Sequence, residues 1–157
     1  EAEAAVEQAR EQLRAVELCA ALVTLGEASW RGGDSPRAFA VFHEARELAD
    51  RRGFTRMLTR CEAFIAFLEG DREGGDSAAA RARIEAAQSA LEADGFLADA
   101  IETRYLLGLL AIRGGEAESA RRLLREALTK AGAAENRAYI DDCDLALRGL
   151  GSLRPRG

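Results

Sequence analysis

The segment Leu25–Ala45, LGEASWRGGDSPRAFAVFHEA, carries the strongest indication of the fold. Its first part places small and apolar residues at helical spacing, and a Gly-Gly-Asp turn then interrupts the pattern. After the turn, Asp34 or Ser35 can cap a new helix. Pro36 lies in the first turn of that helix, where a backbone N–H would have no partner within the helix, so its absence costs nothing. The segment therefore predicts two helices joined by a short turn, which is a helical hairpin.

The pattern of this hairpin recurs twice further along the chain. A glycine is followed at offsets of five, nine and twelve residues by a small, a large and a small apolar residue, and the copies lie 42 and 40 residues apart. A period of this length indicates a repeat architecture, in which each unit buries its apolar face against its neighbours. We therefore predict an all-α fold of antiparallel helix hairpins stacked as an α-solenoid, with about three repeats and flanking helices. The recurring residues are Gly33, Ala38, Phe42 and Ala45, then Gly75, Ala80, Ile84 and Ala87, then Gly115, Ala120, Leu124 and Ala127.

Capping residues and glycine exits set the expected bounds of the helices in each hairpin. The predicted ranges are 16–31, 54–69 and 97–113 for the first helices, and 35–51, 77–93 and 116–131 for the second helices.

The two ends of the chain are expected to flank the repeats. Residues 1–14 are interpreted as a separate polar helix, and 137–149 as a closing helix. A single repeat domain is predicted over 1–151, followed by a frayed tail at 152–157. The charged, abrupt start suggests a segment cut from a longer protein.

Composition and charge argue against several classes of protein. Of the 157 residues 48% are apolar, which is enough to bury a continuous core. The net charge of −5 opposes a general attraction to nucleic acid or anionic lipid. No apolar run approaches the roughly 18 residues of a bilayer-spanning helix. We expect a cytoplasmic protein without a nucleic-acid or membrane partner, and the near absence of lysine is typical of a GC-rich bacterial genome.

Residues that carry catalytic or metal chemistry are few and scattered. The chain has one histidine, His43, and three widely spaced cysteines. Their pattern matches neither the ligand set of a zinc site nor a catalytic nucleophile activated by a histidine. We expect a structural histidine, and Cys19, Cys61 and Cys143 as buried, reduced thiols. The glycine pairs lack the GK[ST] ending of a phosphate loop and are interpreted as turns. The expected protein is not an enzyme and uses no cofactor and no metal.

The first and third copies resemble the tetratricopeptide repeat signature, matching its small and large positions in register. Small residues at these places let neighbouring helices approach closely, while Phe42 or Leu124 fills the space beside them. The period of 40 to 42 exceeds the usual ~34, and longer helices of this kind are similar to repeat arms of bacterial transcriptional activators and signalling kinases. The matching residues are Leu25, Gly26, Ala28, Gly33, Asp34, Ala38, Phe42 and Ala45, with Leu107, Gly108, Gly115, Ala120, Leu124 and Ala127 in the third copy.

The second copy is irregular and needs its own alignment. We align Gly70, with the aspartate after it, to the turn position of Gly33. Ala63 then takes the position of Gly26, and 72–76 becomes a loop insertion.

The family resemblance implies a concave face, lined by first-helix side chains, that binds a peptide or a partner helix. These positions form an apolar and aromatic strip flanked by arginines, with Trp30, Phe67 and Tyr105 as expected anchors. The partner is a separate protein or another segment of the parent protein. Alternatively, the strip packs against neighbouring repeats or a second copy, and the chain is a structural spacer or homo-oligomerisation arm of a larger regulatory protein. The predicted partner-binding residues are Val23, Glu27, Trp30, Arg31, Arg60, Phe64, Phe67, Tyr105, Leu109, Ile112 and Arg113.

Overall fold

A computed structural model describes residues 1–152, and over that range the chain forms seven α-helices and no β-strand. The predicted all-α fold class is confirmed. Of the predicted frayed tail, Ser152 ends the last helix and the remainder lies outside the described residues. The helices are α1 (Ala2–Arg31), α2 (Ser35–Arg52), α3 (Thr55–Asp71), α4 (Ser77–Ala93), α5 (Leu97–Arg113), α6 (Ala117–Ala133) and α7 (Arg137–Ser152).

The chain divides into two compact units, Glu1–Ile65 and a second unit that begins at Ala66. In the first unit α1 packs against α2. In the second unit α4 packs on α5, α5 on α6 and α6 on α7, with a smaller contact between α5 and α7. Short connections between successive packed helices make antiparallel hairpins, as the repeat pattern predicts.

The beginning of the chain differs from the prediction of a separate polar helix at 1–14. A single helix, α1, runs for 30 residues from Ala2 to Arg31. No glycine or proline interrupts residues 2–25, and Ala, Glu, Arg and Leu all favour helix, so nothing ends the helix before the repeat begins.

The first turn forms as its residues predict. Gly33 adopts a left-handed backbone with φ of 83°, which a residue with a side chain rarely adopts. The side chain of Asp34 caps α2 by accepting a hydrogen bond from the Arg37 backbone N–H at 3.1 Å. Gly53, also left-handed with φ of 72°, ends that helix.

The small residues of the repeat lie in the interior, where helices approach each other closely. A Cβ at Gly26 would lie 2.8 Å from Cζ of Phe42, and one at Gly108 would lie 2.7 Å from Cδ2 of Leu124. Glycine is therefore required for the contact in both hairpins, which confirms the expected pairing of small and large residues. The repeated alanines are also buried, namely Ala38, Ala45, Ala80, Ala87, Ala120 and Ala127.

The predicted alignment of the second copy is wrong at its turn. Gly70 is not a turn residue, because α3 stays helical through Asp71. It is buried, and a Cβ built there would collide with Cβ of Ala80. The left-handed glycine is Gly74, with φ of 73°.

The ends of the helices give a different correspondence for this copy. Ala66 stands five residues before the last residue of α3, as Gly26 does in α1 and Gly108 in α5, so Ala66 rather than Ala63 takes the small position. The connection 72–76 has five residues where 32–34 and 114–116 have three each, so the insertion is two residues. Sequence spacing alone did not separate a longer loop from a longer helix.

Ala120→Leu should lower the free energy of unfolding by about 1 to 3 kcal/mol, because Ala120 is fully buried and the added atoms overpack its surroundings. Denaturant unfolding followed by circular dichroism measures the change. Ala82→Leu is the matched control, since Ala82 is an exposed helical alanine of α4 and the same substitution there should change stability by no more than about 0.5 kcal/mol. Equal stability of the two variants would contradict the close packing at Ala120.

Candidate partner-binding site

In the first unit the predicted strip lies on α1 and α3, and its members divide by exposure. Val23 and Phe64 are buried, and Phe64 contacts the ring of Trp30. Trp30 is partly exposed. The charged members of this part are Glu27 and Arg60, which are partly exposed, and Arg31, which is exposed.

Trp30 is held in place by a short chain of aromatic contacts. Its ring meets Phe64 edge to face, with centroids 5.7 Å apart and planes at 67°. Phe64 in turn stacks on Phe42 at 4.5 Å and 10°. On the outer side, the Arg31 guanidinium lies 5.6 Å from the Trp30 ring centroid, within cation–π range. The indole therefore has little freedom before any partner arrives, which lowers the entropy lost on binding.

An ion pair lies beside the tryptophan. Nη2 of Arg60 donates to Oε1 of Glu27 at 2.6 Å, and the two side chains are only 20% and 24% exposed. This pairing joins α3 to α1, and Glu27 neutralises the charge of Arg60. Arg31 has the more exposed side chain of the two predicted arginines in this unit.

In the second unit the predicted strip is covered in part. The expected anchors Phe67 and Tyr105 are buried, whereas Leu109 and Ile112 keep part of their surface. Arg113 is exposed and forms a two-point contact with Asp71, through distances of 3.0 and 3.2 Å. Hydrogen bonding to Asp71 raises the pKa of the Arg113 guanidinium above its usual value.

Tyr139 of α7, which is not among the predicted partner-binding residues, covers part of this strip. Its hydroxyl donates to Oε2 of Glu102 at 2.6 Å, and its ring meets Tyr105 edge to face at 5.8 Å. The hydrogen bond satisfies a carboxylate that is 97% removed from solvent, since Glu102 is only 3% exposed. An aromatic residue in the first turn of a closing helix was the one available signal for this contact.

The three cysteines are all buried, as predicted. Burial, with a smaller effect from the neighbouring carboxylates of Asp142 and Asp144, raises the pKa of the Cys143 thiol to about 11. Burial also raises the pKa of the Cys19 thiol. Both thiols therefore stay protonated at neutral pH, and a protonated thiol is a poor nucleophile.

His43 packs within its own helix. Its ring lies edge to face with Phe39, one turn earlier on α2, at 4.5 Å. Within residues 1–152, no group of three or more His, Cys, Asp or Glu side chains is arranged to hold a metal ion.

A small hollow in the second unit is lined mainly by apolar side chains. Its volume is about 240 Å³, below the ~300 Å³ at which small-molecule sites usually begin. Lys130 and Glu92 form its polar edge, with Nζ and Oε1 3.9 Å apart. Burial acts to raise the pKa of Glu92, but hydrogen bonds from Gln88 and Arg104 and the nearby positive charges outweigh it, so the pKa is lowered.

Comparison with protein-family models, curated proteins and solved structures found no match to this chain. Among the helices of residues 1–152, none combines the length and the apolar character needed to cross a membrane.

Proposed function

We propose that this chain is a non-enzymatic, tetratricopeptide-like module of a cytoplasmic bacterial regulatory protein, and that it binds a peptide or partner helix around Trp30. One observation carries the proposal. Trp30 keeps exposed surface while Phe64 supports its ring and an exposed arginine stands beside it. Tryptophan and arginine are the residues most enriched among those that dominate binding energy at protein interfaces.

The neighbouring charges indicate the chemistry of the partner. Arg31 is exposed beside the indole, and Arg60 forms an ion pair with Glu27. A partner that places an apolar side chain on the indole and one carboxylate near Arg31 would use both groups. A run of acidic residues would instead meet the net charge of −5 on the whole chain. The favoured ligand is therefore an apolar segment with a single acidic residue next to its anchor.

Trp30 is the only tryptophan of the chain, so its fluorescence reports this site directly. Peptides selected from a displayed random library against the 157-residue chain should shift its emission to shorter wavelength when they bind. Trp30→Ala should weaken the binding of the same peptides, measured by calorimetry, by roughly 30-fold, equivalent to about 2 kcal/mol.

Leu145→Ala is the control, because Leu145 is an apolar residue of α7 that is 72% exposed and belongs to no part of the proposed site. Its affinity for the selected peptides should equal that of the unchanged chain. Selected peptides that bind Trp30→Ala as tightly as the unchanged chain would refute the proposed site.

A further inference from the structure

The first half of α1 lies outside the packed part of its unit. Every residue from Glu1 to Arg14 is exposed, and burial along the helix begins at Ala15. This segment gains no stability from packing within its unit, whereas most helical stability in proteins comes from tertiary packing. A partner that covers one side of it would stabilise it.

One side of the extended segment carries apolar residues at the spacing of a coiled coil. Ala2, Val6, Ala9 and Leu13 follow one another at intervals of four, three and four residues, and we call these four residues the α1 stripe. Val6 is 51% exposed and Leu13 is 59% exposed, so the two large members face solvent.

The α1 stripe matches itself in the antiparallel direction. In an antiparallel pair of helices the residue numbers run in opposite directions, so all facing residues have numbers with the same sum. When Val6 faces Ala9 of a second copy, Leu13 therefore faces Ala2 of that copy. Each large side chain then meets a small one, which is the condition for close helix packing. Two-fold symmetry repeats both contacts, as in other isologous interfaces.

Charges beside the stripe select the same arrangement. Glu3 and Arg10 each follow a stripe residue directly and lie seven residues apart, so they occupy the same position of the coiled-coil repeat. In the antiparallel register above, Glu3 lies beside Arg10 of the second copy, twice by symmetry. A shift of the register by one heptad would instead place Arg10 beside Arg10 of the second copy, and Glu3 beside Glu17 of that copy. Both pairs carry like charges and repel each other.

Arg10 is able to make this contact. Within α1 it pairs with Glu7 at 3.4 Å, but the two side chains are 64% and 54% exposed. Such solvated pairs contribute little and exchange partners readily.

We propose that two copies of this chain associate through the α1 stripe, paired antiparallel. The overlap covers about 12 residues, or about 18 Å of helix, so the dimer is weak and concentration-dependent. Trp30 lies 17 residues beyond Leu13, about 25 Å further along α1, so the association leaves that site open and stands independently of the function proposed for it. The dimer would display two Trp30 sites and raise the avidity for a divalent partner.

Sedimentation equilibrium of the 157-residue chain over a wide concentration range tests the proposal. The unchanged chain should show a monomer–dimer equilibrium, and Leu13→Glu should weaken it at least tenfold, since a charge replaces a leucine at both ends of the interface. Leu18→Glu is the matched control on the same helix, because Leu18 is 53% exposed but lies on a different side, and its dissociation constant should be unchanged.

A charge exchange tests the register. Glu3→Arg and Arg10→Glu should each weaken the dimer roughly three- to tenfold, and the double variant should restore it, because the pair is then reversed at both ends. Circular dichroism checks that α1 remains helical in each variant. A chain that stays monomeric at every concentration, a dimer lost in Leu18→Glu but kept in Leu13→Glu, or a double variant weaker than either single one would each overturn the proposal.

Discussion

Phe42→Ala should lower the free energy of unfolding of the first unit by about 3 to 5 kcal/mol. The ring is fully buried, stacks on Phe64 at 4.5 Å and fills the close approach at Gly26. Truncation removes these contacts and leaves a cavity that Gly26, having no side chain, cannot fill. Urea unfolding followed by Trp30 fluorescence measures the change, since this tryptophan lies in the same unit.

Phe39→Ala provides the comparison on the same helix. Phe39 is only partly buried, and its ring contact is with His43 one turn away. Its truncation should therefore cost about 1 to 2 kcal/mol, clearly less than that of Phe42. Equal losses at the two positions would mean that Phe42 does not hold α1 and α3 together.

Phe42→Ala should also loosen the proposed binding site around Trp30. Phe64 would lose its stacking partner, and Trp30, whose ring rests on Phe64, would lose its fixed orientation. Fluorescence anisotropy of Trp30 in the folded variant should fall, while that of Phe39→Ala should stay at the value of the unchanged chain.

Gly70→Ala should destabilise the second unit by about 1 to 3 kcal/mol through overpacking, although alanine is the better helix former. A Cβ at Gly70 would collide with Cβ of Ala80 and approach Cδ1 of Leu110 to 3.2 Å. The alanine Cβ cannot rotate away, so α3 and α4 would have to separate. Thermal unfolding followed by circular dichroism measures the loss.

The same substitution at Gly132 should not lower the stability. Gly132 also lies in a helix, α6, but a Cβ there meets nothing within 4 Å. Gly132→Ala should therefore leave stability unchanged or raise it by up to about 1 kcal/mol. A stabilising Gly70→Ala would show that the helices at Gly70 are further apart than the structure places them.

The two surfaces on α1 have different physical origins. Trp30 gains its fixed orientation from α3, through Phe64. The α1 stripe is exposed because it lies before Ala15, the residue at which burial along α1 begins. The proposed ligand site and the proposed self-association surface therefore lie at opposite ends of α1 and do not overlap.

The sequence by itself determined the helical hairpins and most of their bounds. Gly33, Asp34 and Gly53 act within one or two turns of chain, so their backbone and capping preferences are readable without any tertiary contact. The pairing of Gly26 with Phe42 was readable as well, because it repeats as Gly108 with Leu124 at the same offset. Local chemistry and exact repetition are the two kinds of information that a single sequence holds.

Only the tertiary structure decided which of the strip residues remain at the surface. Tyr105 and Trp30 are both aromatic residues at predicted anchor positions. Tyr139 from a later helix covers Tyr105, whereas the contacts of Trp30 with Arg31 and Phe64 leave part of Trp30 exposed. The register of α3 was decided in the same way, because Gly70 serves a contact with Ala80 rather than a turn. Burial depends on neighbours distant in the chain, and the periodicity of one helix shows which face it buries but not what lies against that face.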